Sequence, residues 1–76
     1  MKELVKLIAT ALVDEPEEVF IEEVNSNHLS ILQLRVAKND IGKVIGKKGR
    51  TAEAIRTILK AVSSKTRKGI FLEILE

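Results

Sequence analysis

A chain of 76 residues provides material for one domain with a modest hydrophobic core. It contains no cysteine, which excludes a disulfide or a thiolate metal site and is typical of a reducing compartment. No apolar segment approaches the length of about 20 residues that spans a membrane, and the N-terminus has no signal-peptide pattern. We therefore expect a cytoplasmic protein with no membrane span, no metal and no cofactor.

The charges are distributed unevenly along the chain. Residues 1–37 contain three basic and seven acidic residues, a net charge of −4, whereas residues 38–76 contain ten basic and four acidic residues, a net charge of +6. Segment 38–50 alone holds five cations and one acid. Such a segment is typical either of a polyanion-binding surface or of a solvated turn, and charge alone does not separate the two.

The first half of the chain predicts a helix followed by a β-hairpin. Apolar residues recur with the helical period in residues 2–13, and Pro16 ends the helix because proline disfavours helical backbone at the residue before it. Residues 19–24 and 29–36 are rich in strand formers, and the polar segment between them is typical of a turn. The residues expected to face the core are Leu4, Ile8, Ala11 and Leu12 in the helix and Leu32, Leu34 and Val36 in the second strand.

The second half predicts two helices and a third strand. The first helix is a single short turn, capped by Asn39 or Asp40. A longer helix runs from Arg50 to about Lys65, and a strand covers 70–75. The apolar positions that define these elements are Ile41, Val44 and Ile45, then Ile55, Ile58, Leu59 and Val62, then Ile70, Leu72 and Ile74.

The predicted order is helix, strand, strand, short helix, helix, strand. A three-stranded sheet cannot cover itself, and three amphipathic helices on one of its faces would bury it. The sequence therefore predicts one two-layer α+β domain over residues 1–76.

Two glycines bracket two lysines at the junction of the predicted helices, in the sequence Gly46-Lys47-Lys48-Gly49. Glycine permits a sharp turn and a close approach of another backbone. The first N–H groups of the following helix point outward and favour an anion such as phosphate. With Lys43 and Arg50 on either side, this turn suits a sugar-phosphate chain, although a solvated helix–helix turn has the same composition.

The segment from Ile41 to Thr51, Ile-Gly-Lys-Val-Ile-Gly-Lys-Lys-Gly-Arg-Thr, resembles the signature of the KH domain. In that RNA-binding module a Gly-x-x-Gly loop clamps about four nucleotides by their backbone. Continued to Thr57, the sequence is similar to the bacterial single-domain KH proteins of the KhpA (YlqC) family, over essentially the whole chain. The predicted order of elements matches the prokaryotic, type II arrangement. Ala52 stands where eukaryotic type I domains usually have an aliphatic residue, so base contacts are not transferred from that type.

The resemblance implies a groove for single-stranded RNA between the turn and the edge of the sheet. Ile45, with Val44, would form an apolar floor under the bases or lie buried beneath the turn. The second strand, around Ile31 and Leu32, would supply the far wall or belong to the core. The RNA-binding residues expected on this basis are Lys43, Ile45, Gly46, Lys47, Lys48, Gly49 and Arg50.

The resemblance also implies a non-catalytic RNA chaperone or post-transcriptional regulator. The alternative is a protein–protein adaptor, which would pair with itself or with a larger KH-containing protein of the Jag/KhpB type in cell elongation and division. Single-stranded DNA remains open as a ligand. An enzyme is disfavoured, because the chain lacks a P-loop and a nucleophile–base set and its single histidine, His28, lies in a predicted turn.

Aromatic residues are few, and we expect both of them, Phe20 and Phe71, in the core. Stacking platforms of the kind used by RRM sheets are then not available. We therefore expect weak, salt-sensitive binding with little sequence selectivity. If about three cations contact phosphates, the logarithm of affinity against the logarithm of salt should slope near −2.

Overall fold

The computed structural model describes residues 1–66 and 68–75. Within these residues the chain forms an α+β domain in the order α-β-β-α-α-β, which confirms the predicted fold class. The bounds agree with the predicted ones to within about a residue. The elements are α1 (Lys2–Leu12), β1 (Phe20–Asn25), β2 (Leu29–Arg35), α2 (Ile41–Ile45), α3 (Arg50–Thr66) and β3 (Gly69–Leu75). None of the helices in the described part of the chain has the length and apolar character needed to cross a bilayer.

The sheet has the order β1-β2-β3, with β2 in the centre. Strands β1 and β2 form an antiparallel hairpin in which Ile21 lies opposite Leu34. Strands β2 and β3 are parallel, with Leu32 opposite Leu72. Parallel neighbours need a long crossover, and α2, the glycine-bracketed turn and α3 together provide it. This topology places the turn at the end of a helix layer that covers one face of the sheet.

The core lies between that helix layer and the inner face of the sheet. Alternate strand residues point inward, and the buried ones include Ile21, Leu32, Leu34 and Leu72. The helices contribute Val5, Ala9, Val44, Ala52, Ile55 and Leu59. The prediction that Leu32, Leu34 and Val36 share a buried face is confirmed.

The predicted buried faces of α1 and α3 are rotated from the observed ones. In α1, Val5 and Ala9 are fully buried, whereas Leu4, Ala11 and Leu12 are exposed. In α3, Ile58 is 44% exposed, whereas Ile55 and Leu59 of the same predicted stripe are buried. The apolar residues on both helices span a wider arc than the contact with the sheet, so periodicity alone does not identify which edge of that arc is covered.

The prediction that both phenylalanines belong to the core is wrong. Phe20 is 57% exposed and Phe71 is 62% exposed. Each precedes a strand residue that points inward, Ile21 and Leu72 respectively. Because successive strand side chains point to opposite faces, both aromatic rings lie on the side of the sheet away from the helices.

Candidate nucleic-acid interface

The backbone between α2 and α3 breaks sharply at the glycine-bracketed turn. Helix α2 ends at Ile45, and Gly46 leaves helical geometry with φ 78° and ψ 168°. A short 3₁₀ turn, Lys47–Gly49, then leads into α3. Gly49 has φ 73°, and Lys48 lies in the left-handed region with φ 58° and ψ 26°. The segment is therefore a bend between two helices in which three of four residues have positive φ.

Position 46 requires glycine for lack of space as well as for its backbone dihedral angles. A Cβ at this position would overlap the Thr51 hydroxyl and would lie 2.8 Å from the Thr51 backbone nitrogen. Gly49 differs, because a Cβ there would meet no other atom within 4 Å. The first glycine thus allows the turn to close against the first turn of α3, whereas the second supplies only the positive φ.

Several amide groups of the turn are used within it. The Gly46 N–H donates to the Gly42 carbonyl, with a nitrogen–oxygen distance of 2.9 Å, and the Gly49 N–H donates to the Gly46 carbonyl at 3.0 Å. The Arg50 N–H donates to the Lys47 carbonyl. The expectation that the amides entering α3 are free donors is therefore too broad, because Gly49 and Arg50 already have internal acceptors.

The side chains of Lys47, Lys48 and Arg50 surround the bend and are exposed. None of these three cations forms an ion pair with a residue in 1–66 or 68–75. Their charge is consequently available to a ligand at the N-terminal end of the 17-residue helix α3, where the helix dipole adds positive potential.

Lys43, predicted to flank the turn as an RNA-binding residue, forms two ion pairs. Its ammonium nitrogen lies 2.7 Å from Asp14 Oδ2 and 3.3 Å from Asp40 Oδ1. The hydrogen bond to Asp14, followed by that to Asp40, raises the pKa of Lys43 above its ordinary value, although partial burial opposes the shift. Lys43 therefore connects α2 to the segment that follows α1.

Asp40 was expected as a candidate helix cap, but its side chain makes long-range contacts. It is only 1% exposed and makes no capping hydrogen bond to α2. Its carboxylate accepts from the backbone N–H groups of Asp14 and Glu15, at 3.2 and 3.0 Å. Burial raises the pKa of Asp40, but these two hydrogen bonds and Lys43 outweigh burial and lower it. Asp40 therefore binds the start of α2 to the α1–β1 connection as a buried anion.

The apolar residues expected to line the groove divide between core and surface. Val44 and Leu32 are fully buried, so neither can form the floor or wall of a groove. Ile31 points to the face of the sheet opposite the helices, because its neighbour Leu32 points inward. Ile45, at the end of α2, is half-buried and retains surface beside the turn.

An open cleft lies between α3 and the free edge of β3. Its apolar side is formed by Ile70, Phe71 and Leu72, and α3 contributes Arg56, Lys60 and Ser63. The Arg56 guanidinium donates across the cleft to the Leu72 carbonyl at 3.4 Å. The sequence analysis did not predict this cleft, because it did not establish that β3 is the edge strand beside α3. The clue was the long crossover, which favours a parallel third strand.

An α-β-β-α-α-β domain with this sheet order and a Gly-x-x-Gly bend between its second and third helices is a type II KH domain. The chain belongs to the KhpA/KhpB KH-domain family, whose model matches residues 2–74. The resemblance inferred from the sequence is thereby confirmed.

Proteins named RNA-binding protein KhpA match this chain over almost its whole length. The RNA-binding protein KhpA of Clostridium perfringens is 52% identical over 75 residues, which are 99% of this chain and 100% of that protein. The RNA-binding protein KhpA of Chlamydia pneumoniae is 54% identical over 76 residues, 100% of this chain and 97% of its own. The Borreliella burgdorferi KhpA is 45% identical and matches 97% of this chain and 90% of its own length.

A solved structure has the same fold at low sequence identity. The crystal structure of a point variant of Aquifex aeolicus Era bound to GDP.AlF4- contains a region that superposes with a TM-score of 0.67 and 19% identity. The match covers 96% of this chain and 28% of that one. At this identity the likeness establishes the fold alone.

Proposed function

We propose that this protein is a non-catalytic RNA-binding protein that grips the backbone of single-stranded RNA at the Gly46–Gly49 bend. The observation that carries the proposal is the bend itself. It combines backbone with positive φ, two exposed lysines that form no ion pair with the described residues, and the start of a 17-residue helix. Phosphate is the anion that such a helix end commonly accepts. The relatives that match this chain over its full length are named RNA-binding proteins.

The proposed contacts divide between shape and charge. Gly46 allows the bend to close against α3, and Gly49, with open space where a Cβ would lie, leaves room for a phosphate to approach the backbone. Lys47, Lys48 and Arg50 supply three cations, and the N–H groups of Lys47 and Lys48 supply donors, since those of Gly49 and Arg50 are used internally. Lys43 is assigned a structural role in this proposal because two carboxylates already neutralise its charge.

The bound RNA would continue from the bend along α3 into the cleft between α3 and β3. Ten residues separate Arg50 from Lys60, a distance of about 15 Å along a helix, which accommodates two to three nucleotides. Arg56 and Lys60 line this path with positive charge, and Ile70 offers apolar surface to a base. Half-buried Ile45 would contact a base near the bend. Few side chains here can read base edges, so the proposed role is that of an RNA chaperone or post-transcriptional regulator.

An NMR titration tests this proposal. The ¹⁵N-labelled chain is mixed with a single-stranded RNA of about 12 nucleotides, and in parallel with the DNA of the same sequence. We expect saturable amide shifts at residues 46–50 and 70–72 and none in β1. Shifts that avoid residues 46–50 would overturn the proposed grip. An equal response to DNA would show that the ligand is single-stranded nucleic acid in general, because only a 2′-hydroxyl contact distinguishes RNA.

A further inference from the structure

The face of the sheet away from the helices carries a regular pattern of side chains, and we call this surface the open face. Three rows run across the strands, two of them mainly apolar and the middle one polar. The rows are Val24, Ile31 and Phe71, then Glu22, Gln33 and Glu73, then Phe20, Arg35 and Leu75.

The apolar rows of the open face contain the most exposed large apolar side chains of the sheet. Phe20, Val24 and Phe71 are all more than half exposed, and they account for three of the seven large exposed apolar residues among the described ones. Single exposed apolar residues are ordinary, but Val24, half-buried Ile31 and Phe71 stand in register on three neighbouring strands and form a patch. A sheet face of this kind is normally covered by a second layer of structure.

The middle row makes the open face acidic. Glu22 and Glu73 flank Gln33, whose amide donates to Glu73 Oε1 at 3.2 Å and fixes that carboxylate. Arg35 is the only cation in the three rows. A polynucleotide would be repelled by this surface, although two exposed aromatic rings resemble a stacking platform. The ligand of the open face should therefore carry positive charge.

A second copy of the chain does not fit the open face. In a face-to-face pair of two copies, the two apolar rows can meet in two ways. Each apolar row can face the same row of the other copy, or it can face the other apolar row of that copy. In both ways the middle row faces the middle row of the other copy. Such a pair would bury four glutamates against one another, and buried like charges are costly.

We propose that the open face binds a cationic amphipathic helix of another protein. The two apolar rows are four residues of strand apart, about 13 Å. Eight residues of helix rise about 12 Å. In the partner helix, apolar residues at i and i+8 and a Lys or Arg at i+4 lie on the same side. Each apolar residue would then contact one apolar row of the open face, and the cation between them would contact Glu22 and Glu73.

The test uses a synthetic helical peptide of about 15 residues that is neutral except for a central lysine, with one leucine four residues before the lysine and another four residues after it. Its control has glutamate in place of the lysine. Both are titrated into the ¹⁵N-labelled protein. We expect saturable shifts at Glu22, Ile31, Phe71 and Glu73 with the lysine peptide below about 1 mM. The glutamate peptide should bind at least about tenfold more weakly.

Variants of the protein test the same contacts from the other side. Glu22→Lys with Glu73→Lys, and separately Phe71→Ser, should each weaken binding about tenfold or more. A matched control, Glu3→Lys with Glu53→Lys, makes the same charge change at exposed positions on the helices and should leave binding unchanged. Circular dichroism establishes that each variant is folded.

Four outcomes would overturn the proposal. The first is the absence of saturable shifts on the open face, and the second is equal binding of the two peptides. The third is a self-association in sedimentation that Phe71→Ser abolishes, which would assign the face to a second copy. The fourth is a set of RNA-induced shifts at Glu22, Val24 and Ile31, the part of the open face that lies away from the cleft at β3, which would assign the face to nucleic acid. None of these results bears on the Gly46–Gly49 bend, so the two proposals are tested separately.

Discussion

Gly46 lies against Thr51 so closely that a Cβ on the glycine would stand 2.8 Å from the threonine backbone nitrogen. Real Cβ atoms do not approach a backbone nitrogen to that distance, and the nitrogen cannot move without displacing the first turn of α3. The backbone path of the bend thus depends on the absence of a Cβ atom at Gly46. This dependence separates Gly46 from the other glycines of the same segment.

Alanine substitution at the three glycines should give three different results. Gly46→Ala combines a steric overlap with a positive φ, and we expect a loss of about 3 kcal/mol in the free energy of unfolding. Gly49→Ala has only the strained φ and should lose about 1 kcal/mol. Gly42→Ala lies inside α2 with open space around it and should gain a few tenths to about 1 kcal/mol. Urea denaturation measures all three, and equal losses at Gly46 and Gly49 would contradict the close contact with Thr51.

The salt dependence of RNA affinity should reflect the number of cations at the bend that contact phosphates. Phosphate contacts by Lys47, Lys48 and Arg50 contribute about −2 to the slope of the logarithm of affinity against the logarithm of salt on a single strand, and contacts by Arg56 or Lys60 add to it. Replacement of Lys47 and Lys48 by methionine should make the slope less steep by about 1.4. Fluorescence anisotropy between about 50 and 200 mM salt measures both. An unchanged slope in the double variant would place the phosphate contacts elsewhere on the protein.

Lys43 and Lys47 should respond in opposite ways to the same substitution. Lys43→Met removes the cation shared by Asp14 and Asp40, and we expect Tm to fall by about 5 °C with RNA affinity retained within about twofold. Lys47→Met removes an exposed cation that forms no ion pair within residues 1–66 and 68–75, so Tm should be unchanged and RNA affinity should fall. Thermal denaturation and anisotropy on both variants compare them directly. A Lys43→Met variant that keeps its Tm and loses affinity would give that residue a binding role.

The stability of the fold should depend on the ionisation of Asp40. Burial raises the pKa of this group, but the backbone hydrogen bonds from Asp14 and Glu15 and the contact with Lys43 lower it below the ordinary value of 3.8. A carboxyl whose pKa is lower in the folded state stabilises that state above its unfolded pKa, and the contribution is lost as pH falls through the folded value. We expect the urea midpoint to fall as the pH is lowered from about 4 to 2.

Asp40→Asn is the control for this pH dependence. Its side chain cannot ionise, so the variant should be less stable than the parent at pH 7 and should show a smaller change in urea midpoint below about pH 4. Asp14→Asn alters an exposed carboxylate of the same cluster and should have a smaller effect at pH 7. If the parent and the Asp40→Asn variant lost stability in parallel on acidification, other carboxyl groups would be responsible.

Local pattern was sufficient for the elements and for the position of the bend. The period of two in β2 identified Leu32, Leu34 and Val36 as a buried face, and the glycines at 46 and 49 marked the break between two helices. These features depend on residues close in sequence. Strand alternation and the conformational freedom of glycine act over a few residues and are visible without a fold.

Contacts between distant segments could not be predicted in the same way. Asp40 and Asp14 are 26 residues apart, and nothing near Asp40 in the sequence shows that backbone N–H groups after α1 approach its carboxylate. The exposure of Phe20 and Phe71 is a related failure. Aromatic residues in strands are usually buried, but here the helices cover only one face of the sheet, so the alternation places both rings on the other.

The most direct test of the grip is charge reversal at the bend, compared with the same reversal elsewhere. Lys47→Asp with Lys48→Asp is measured against Lys2→Asp with Lys6→Asp, which makes an identical change in net charge at exposed positions of α1. Circular dichroism first establishes that both variants keep the parent spectrum. We predict that anisotropy with a single-stranded RNA of about 12 nucleotides shows at least about a tenfold loss of affinity for the bend variant and less than about a threefold loss for the α1 variant. Equal losses in the two variants, or full binding by the bend variant, would contradict the claim that residues 46–49 hold the RNA backbone.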